Sequence, residues 1–136
     1  MNKRTSNVLV EDLKVFVYFN LHKKCWSVRA LEGENKGFVV NHLDVVYLRE
    51  ASPKVSESGR QRVLAEKQKN VHAGIVGRIV LPMNFEGYES EQITYNPYRY
   101  KTFVYCEDRS KKFENSEWCK MDSTGKIPRV YVSWRV

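Results

Sequence analysis

Lys14-Val-Phe-Val-Tyr-Phe-Asn20, Leu21-His-Lys-Lys24 and Cys25-Trp-Ser-Val-Arg-Ala-Leu31 run consecutively, and their reading decides the fold. The first segment is β-branched and aromatic throughout and too short for a helix, so it reads as a strand. The third alternates, with Cys25, Ser27, Arg29 and Leu31 on one face and Trp26, Val28 and Ala30 on the other. The four residues between them form a hairpin connection with a basic tip. An antiparallel pair thus opens the chain.

Working outward, Gly33-Glu-Asn-Lys-Gly37 is a second turn, rich in residues that tolerate positive φ. Phe38-Val-Val and Val45-Val-Tyr-Leu48 are two further strand segments, read as one long strand interrupted near Asn41–Asp44 or as two. Val71 to Leu81 has strand character, and its Gly74 and Gly77 mark a bend or a close approach to the backbone. Pro82 ends it, and Met83 to Glu91 reads as a loop. Ile93–Tyr95, Thr102–Cys106 and Ile127–Trp134 complete the strand inventory, with Glu117–Met121 a weaker candidate. One helix is expected near residues 58–69, because Ser58 and Gln61 have capping-box spacing and good helix formers follow. The expected class is mainly β (α+β): a curved antiparallel sheet or partly open barrel with one short surface helix.

The 136 residues suit one domain spanning 1–136, and 42% hydrophobic against 29% charged residues is a globular balance. A chain of this length buries roughly two-thirds of its unfolded surface. No apolar run approaches the ~20 residues of a membrane span. The basic start is followed by no signal-like apolar stretch, so no membrane partner and a cytoplasmic location are expected. Cys25, Cys106 and Cys119 are an odd set without Cys-x-x-Cys, which suits a reducing cytosol. His22-x-x-Cys25 lacks further ligands, so neither a metal nor a cofactor is expected.

The net charge is +7, and residues 54–78 hold six basic residues against two acids, contributing +4 of it. Such a concentration attracts phosphate-bearing partners. Around the expected helix start, Arg60 and Arg62 would stand beside free N–H groups, with Gly59 leaving the backbone open. Lys69 and His72 follow. Tyr95-Asn-Pro-Tyr-Arg-Tyr100 adds Tyr98, Arg99 and Tyr100 around a turn, a cluster suited to stacking a base and holding its phosphate. Trp26 and Arg29 repeat that pairing on a strand. The 17 aromatics exceed what a core of this size needs.

No P-loop, G-x-G-x-x-G, H-E-x-x-H or G-x-S-x-G occurs, so no catalytic residue is assigned. Glu11-Asp12 and Glu107-Asp108 are read as solvated strand ends.

Asn20-Leu-His-Lys-Lys-Cys-Trp-Ser-Val-Arg29, Gly59-Arg-Gln-Arg-Val-Leu through Lys69-Asn-Val-His-Ala73, and Tyr95 to Tyr100 occur in that order. Together they resemble a family of small uncharacterised bacteriophage and prophage accessory proteins, over roughly residues 14–105. The resemblance implies a phage protein acting in the host cytoplasm and supplies no catalytic residue. By analogy with small phage accessory proteins, the leading expectation is a non-enzymatic counter-defence protein that sequesters a nucleotide immune signal. Arg60, Arg62, Lys69 and His72 would hold phosphates, and Trp26, Tyr98 or Tyr100 would stack the base. Arg29 and Arg99 would add charge, in a homo-oligomer with sites at subunit interfaces. The alternatives are an inhibitor that binds nucleic acid or a nucleic-acid-targeting defence complex through its basic surface, and a small nuclease or other hydrolase.

Overall fold

The computed structural model describes residues 10–122 and 128–132. In chain order the strands are β1 (Lys14–Asn20), β2 (Cys25–Ala30), β3 (Val39–Leu43), β4 (Val45–Val55), β5 (Ala73–Ile79), β6 (Glu89–Thr94), β7 (Val104–Tyr105), β8 (Ser116–Asp122) and β9 (Arg129–Val132). The helix α1 (Glu57–Glu66) lies between β4 and β5. The sheet order is β3-β2-β1-β5-β4-β8-β9-β6-β7, and every pairing is antiparallel. Among the described residues β3 and β7 stand at opposite ends and do not pair, so the sheet is open rather than a closed barrel.

The opening hairpin forms as expected, in the register Val15↔Ala30 to Asn20↔Cys25. Lys24 takes φ 57 and its N–H donates to the Asn20 carbonyl at 2.7 Å, which closes the tight link. The long β4 carries the bend. A register shift between Arg49 and Ser52 leaves Glu50 at φ 54, a bulge that turns the strand as it passes from β8 toward α1. Pro53 is tolerated because pairing with β8 ends at Ala51↔Ser116, so beyond that point one side of β4 has no ladder to lose.

One face gathers the core: Val15 and Val17 of β1, Trp26 and Val28 of β2, Val46 and Leu48 of β4, Ile75 and Ile79 of β5, Ile93 of β6, and Cys119 and Met121 of β8. Phe103 and Phe113 close it from the loop side. Gly74 and Gly77 are close-approach positions, as expected. A Cβ on Gly74 would stand 2.4 Å from the Val17 carbonyl oxygen, and one on Gly77 would stand 3.0 Å from that of Arg49. On the opposite face Arg49 and Arg78 sit directly across from each other. Asp12, Glu32 and Glu50 pair with them and offset the like-charge contact.

Several expected boundaries shift. β3 runs through Asn41 to Leu43, leaving Asp44 alone between two strands instead of a break over Asn41–Asp44. The loop expected over Met83–Glu91 ends earlier, because β6 begins at Glu89. The strand expected over Thr102–Cys106 shrinks to Val104–Tyr105, whereas the weak candidate Glu117–Met121 becomes a full seven-residue strand. Of the strand expected over Ile127–Trp134, β9 is the described part; residue 127 and residues 133–134 lie outside the described residues.

Candidate nucleic-acid interface

The helix cap lies two residues before the expected one. Ser56, not Ser58, is the N-cap: its φ is −83, and its hydroxyl accepts from the Gly59 N–H at 3.2 Å. Gln61 does not reach back to Ser58 but donates to the Glu57 carboxylate at 2.7 Å. That bond, with Arg60 beside it, holds the Glu57 carboxyl below its ordinary range. The helix also ends earlier than residue 69, because Lys67 enters the left-handed region at φ 57 while its N–H closes on the Val63 carbonyl. Gly59 has a packing purpose. A Cβ there would stand 2.6 Å from the His72 Cβ, so Gly59 lets the helix start pack on the residue that leads into β5.

Arg60 and Arg62 are separated by one residue, about 200° around a helix, and they go opposite ways. Arg60 is 9% exposed. Its Nε donates to the carbonyls of Pro97 and Tyr100 at 3.0 and 3.1 Å, and its Nη1 meets Glu57 at 3.2 Å. The expected phosphate ligand is therefore a clamp that docks α1 onto the Tyr95–Tyr100 turn. Arg62 is exposed on the solvent side.

That clamp joins two segments that the sequence offered separately. Asn96 shapes the turn, its Oδ1 accepting from the Tyr98 N–H at 2.9 Å and its carbonyl from the N–H groups of Arg99 and Tyr100. Tyr98 emerges 55% exposed, with the Lys67 ammonium 6.0 Å from its ring centroid. Tyr100 accepts a hydrogen bond from Arg109 at 3.2 Å. Lys67, Lys69, Arg99 and Lys101 are all exposed. Among the described residues the side chains of Arg62, Lys69 and Arg99 make no hydrogen bond or ion pair.

His72 is committed inward. Its Nδ1 lies 3.1 and 3.2 Å from two oxygens of Asn70, which can only accept, so Nδ1 donates. In the neutral imidazole Nε2 then accepts from the Tyr95 hydroxyl at 2.7 Å. Desolvation pushes the Tyr95 phenol up to about 12, against the opposing pull of Arg60. His72 thus positions the turn and is not placed to hold a phosphate.

Trp26 and Arg29 lie elsewhere. Trp26 is 3% exposed, edge-on to Phe19 in the core, so its ring faces no solvent. Arg29 covers the rings of Phe16 and Tyr18 at 5.6 and 5.7 Å. Its short sequence distance from Trp26 does not bring the two onto one surface, because strand neighbours three apart point to opposite faces. Sequence reasoning missed Lys67, Lys101 and Arg109; the runs Lys67-Gln-Lys69 and Arg109-Ser-Lys-Lys112 carried the signal. Among the described residues no group of three or more His, Cys, Asp or Glu could hold a metal, and no helix is long and apolar enough to cross a membrane.

Fold and face together define a small, open antiparallel-sheet protein with an exposed basic and aromatic surface around one docked helix. The chain belongs to the Mycobacterium phage L5 gene 82 protein family, a bacteriophage family whose model matches residues 9–128. It is 43% identical over 106 residues to the Gene 82 protein of Mycobacterium phage L5, covering 72% of this chain and 82% of that one. No solved structure matches.

Proposed function

We propose that this phage-family protein is a non-enzymatic binder of a phosphate-bearing ligand, and that it binds through the face formed by α1 and the Tyr95–Tyr100 turn. The observation that carries the reading is the docking made by Arg60: it joins two segments that carry exposed Arg62, Lys67, Lys69, Arg99 and Lys101, with the Lys67 ammonium 6.0 Å from the exposed Tyr98 ring. Exposed cations on an open surface suit a polyanion, whose counterions are released as several phosphates are neutralised. An enclosed small anion would need desolvated, converging donors. The favoured form is therefore binding through the basic surface, with counter-defence against a nucleic-acid-targeting system as the biological role.

Sequestration of a nucleotide signal uses the same residues only in a homo-oligomer that encloses the ligand. Native mass spectrometry with inorganic polyphosphate and a panel of cyclic and linear nucleotides tests both forms. Polyphosphate bound to the wild type, weakened by Arg62→Ala, Lys69→Ala and Arg99→Ala but not by Lys36→Ala in the β2–β3 turn, is the expected result. A defined oligomer gaining intact nucleotide mass would favour sequestration. Equal effects of all four substitutions would overturn the assigned face.

A further inference from the structure

The basic face does not stop at the turn. Lys67 lies over the Tyr98 ring; Arg109 donates to the Tyr100 hydroxyl; and Lys111 lies over the Tyr105 ring at 4.9 Å. The three pairs are connected. Arg109 reaches back through its Nε to the carbonyl of Cys106, the neighbour of Tyr105, so one side chain spans the second and third pairs. Arg60 binds the Tyr100 and Pro97 carbonyls, so the first and second pairs share one rigid turn.

At the far end, Tyr105, Lys111, Lys112, Glu114 and Asn115 line an open cavity of about 470 Å³. That volume falls in the range of small-ligand sites, roughly 300–1,000 Å³. Tyr105 is well anchored there: its ring meets Phe113 edge-on at 6.0 Å and its N–H donates to the Lys111 carbonyl. Lys111 is exposed, and an exposed cation over a ring is held weakly. It can swing off the ring to a phosphate and leave the π-face for a base.

We infer that the three tyrosine–cation pairs form a track for single-stranded nucleic acid, running from Tyr98 past Tyr100 to a base seat at Tyr105. The inference rests on the phosphate-binding reading above and names its ligand. Aromatic faces alternating with cations are what a flexible strand with unstacked bases requires: each ring takes a base and each cation a phosphate. A duplex hides its base faces and offers phosphates alone, so the track discriminates between the two. The stacking is tolerant of sequence, because every base presents a π-face.

Fluorescence anisotropy with a labelled oligothymidylate, the same-length duplex and unlabelled polyphosphate as competitor tests it. The single strand is expected to bind more tightly than the duplex. Tyr98→Ala and Tyr105→Ala are each expected to weaken single-strand binding by roughly tenfold while leaving polyphosphate competition unchanged. Tyr105→Phe, which keeps the ring and its packing, should retain affinity and guards against simple misfolding. Equal affinity for single strand and duplex, or tyrosine variants without effect while polyphosphate still binds, would overturn the track and leave the phosphate face standing. Loss of binding to all three probes would remove both.

Discussion

At the residue scale, Arg60 and Tyr95 show how far a side chain's role departs from its chemistry in isolation. A guanidinium at a helix start suggests an anion seat, yet here its Nε donates to two part-buried carbonyls of the neighbouring turn. Arg60→Ala should therefore lower unfolding stability by about 1.5–3 kcal/mol in a urea titration, the cost of losing charge-assisted hydrogen bonds to part-buried carbonyls. Polyphosphate affinity should fall as well, because Arg60 joins the two segments of the face, although its guanidinium holds no phosphate itself. Tyr95 gives a pH signature. Its phenol holds its proton up to about 12 in the folded protein, against 10 ordinarily, so the folded state keeps a proton that the unfolded chain releases. That stabilisation is complete below pH 10 and disappears as pH rises toward 12. Thermal melts between pH 9 and 11 should fall more steeply for the wild type than for Tyr95→Phe; parallel curves would contradict the assignment.

At the scale of elements, the sequence was most informative where burial faces alternate. The hairpin of β1 and β2, the glycine approaches on β5 and the existence of one short helix were legible because period, turn chemistry and glycine placement are local signals. β8 was read weakly because Glu117 and Lys120 interrupt its apolar positions, although Cys119 and Met121 both reach the core. The helix cap was displaced because Ser56 and Ser58 both fit a cap, and the choice is made by packing of Gly59 against His72. Pairing across the sheet decided the rest: no local pattern shows that α1 docks on a turn 37 residues downstream. The burial of Trp26 escapes a local reading for the same reason, since it depends on which face of the sheet carries the core. Close approach on β5 is testable. Gly74→Ala sets a Cβ against the Val17 carbonyl and the Phe16 ring, contacts that backbone cannot relieve. A loss of about 1–3 kcal/mol, read from the midpoint of a denaturant curve, is expected.

For the whole molecule, the open sheet supplies a platform and the face is assembled from segments that lie between its strands. β4, β5 and β6 carry the segments 57–72 and 95–100, which Arg60 joins; Tyr95 packs against the core cluster while Tyr98 stays exposed outside it. The strongly basic composition suits the proposed polyanion, provided the face acts as one unit. The dependence of binding on salt tests this most directly. Each phosphate neutralised on a single strand contributes about 0.7 to the slope of log K against log salt. The combined variant Arg62→Ala/Lys69→Ala/Arg99→Ala is expected to lower that slope for a labelled oligothymidylate by about 2 relative to wild type. An unchanged slope, with binding intact, would contradict the account at its centre and place the polyanion elsewhere on the protein.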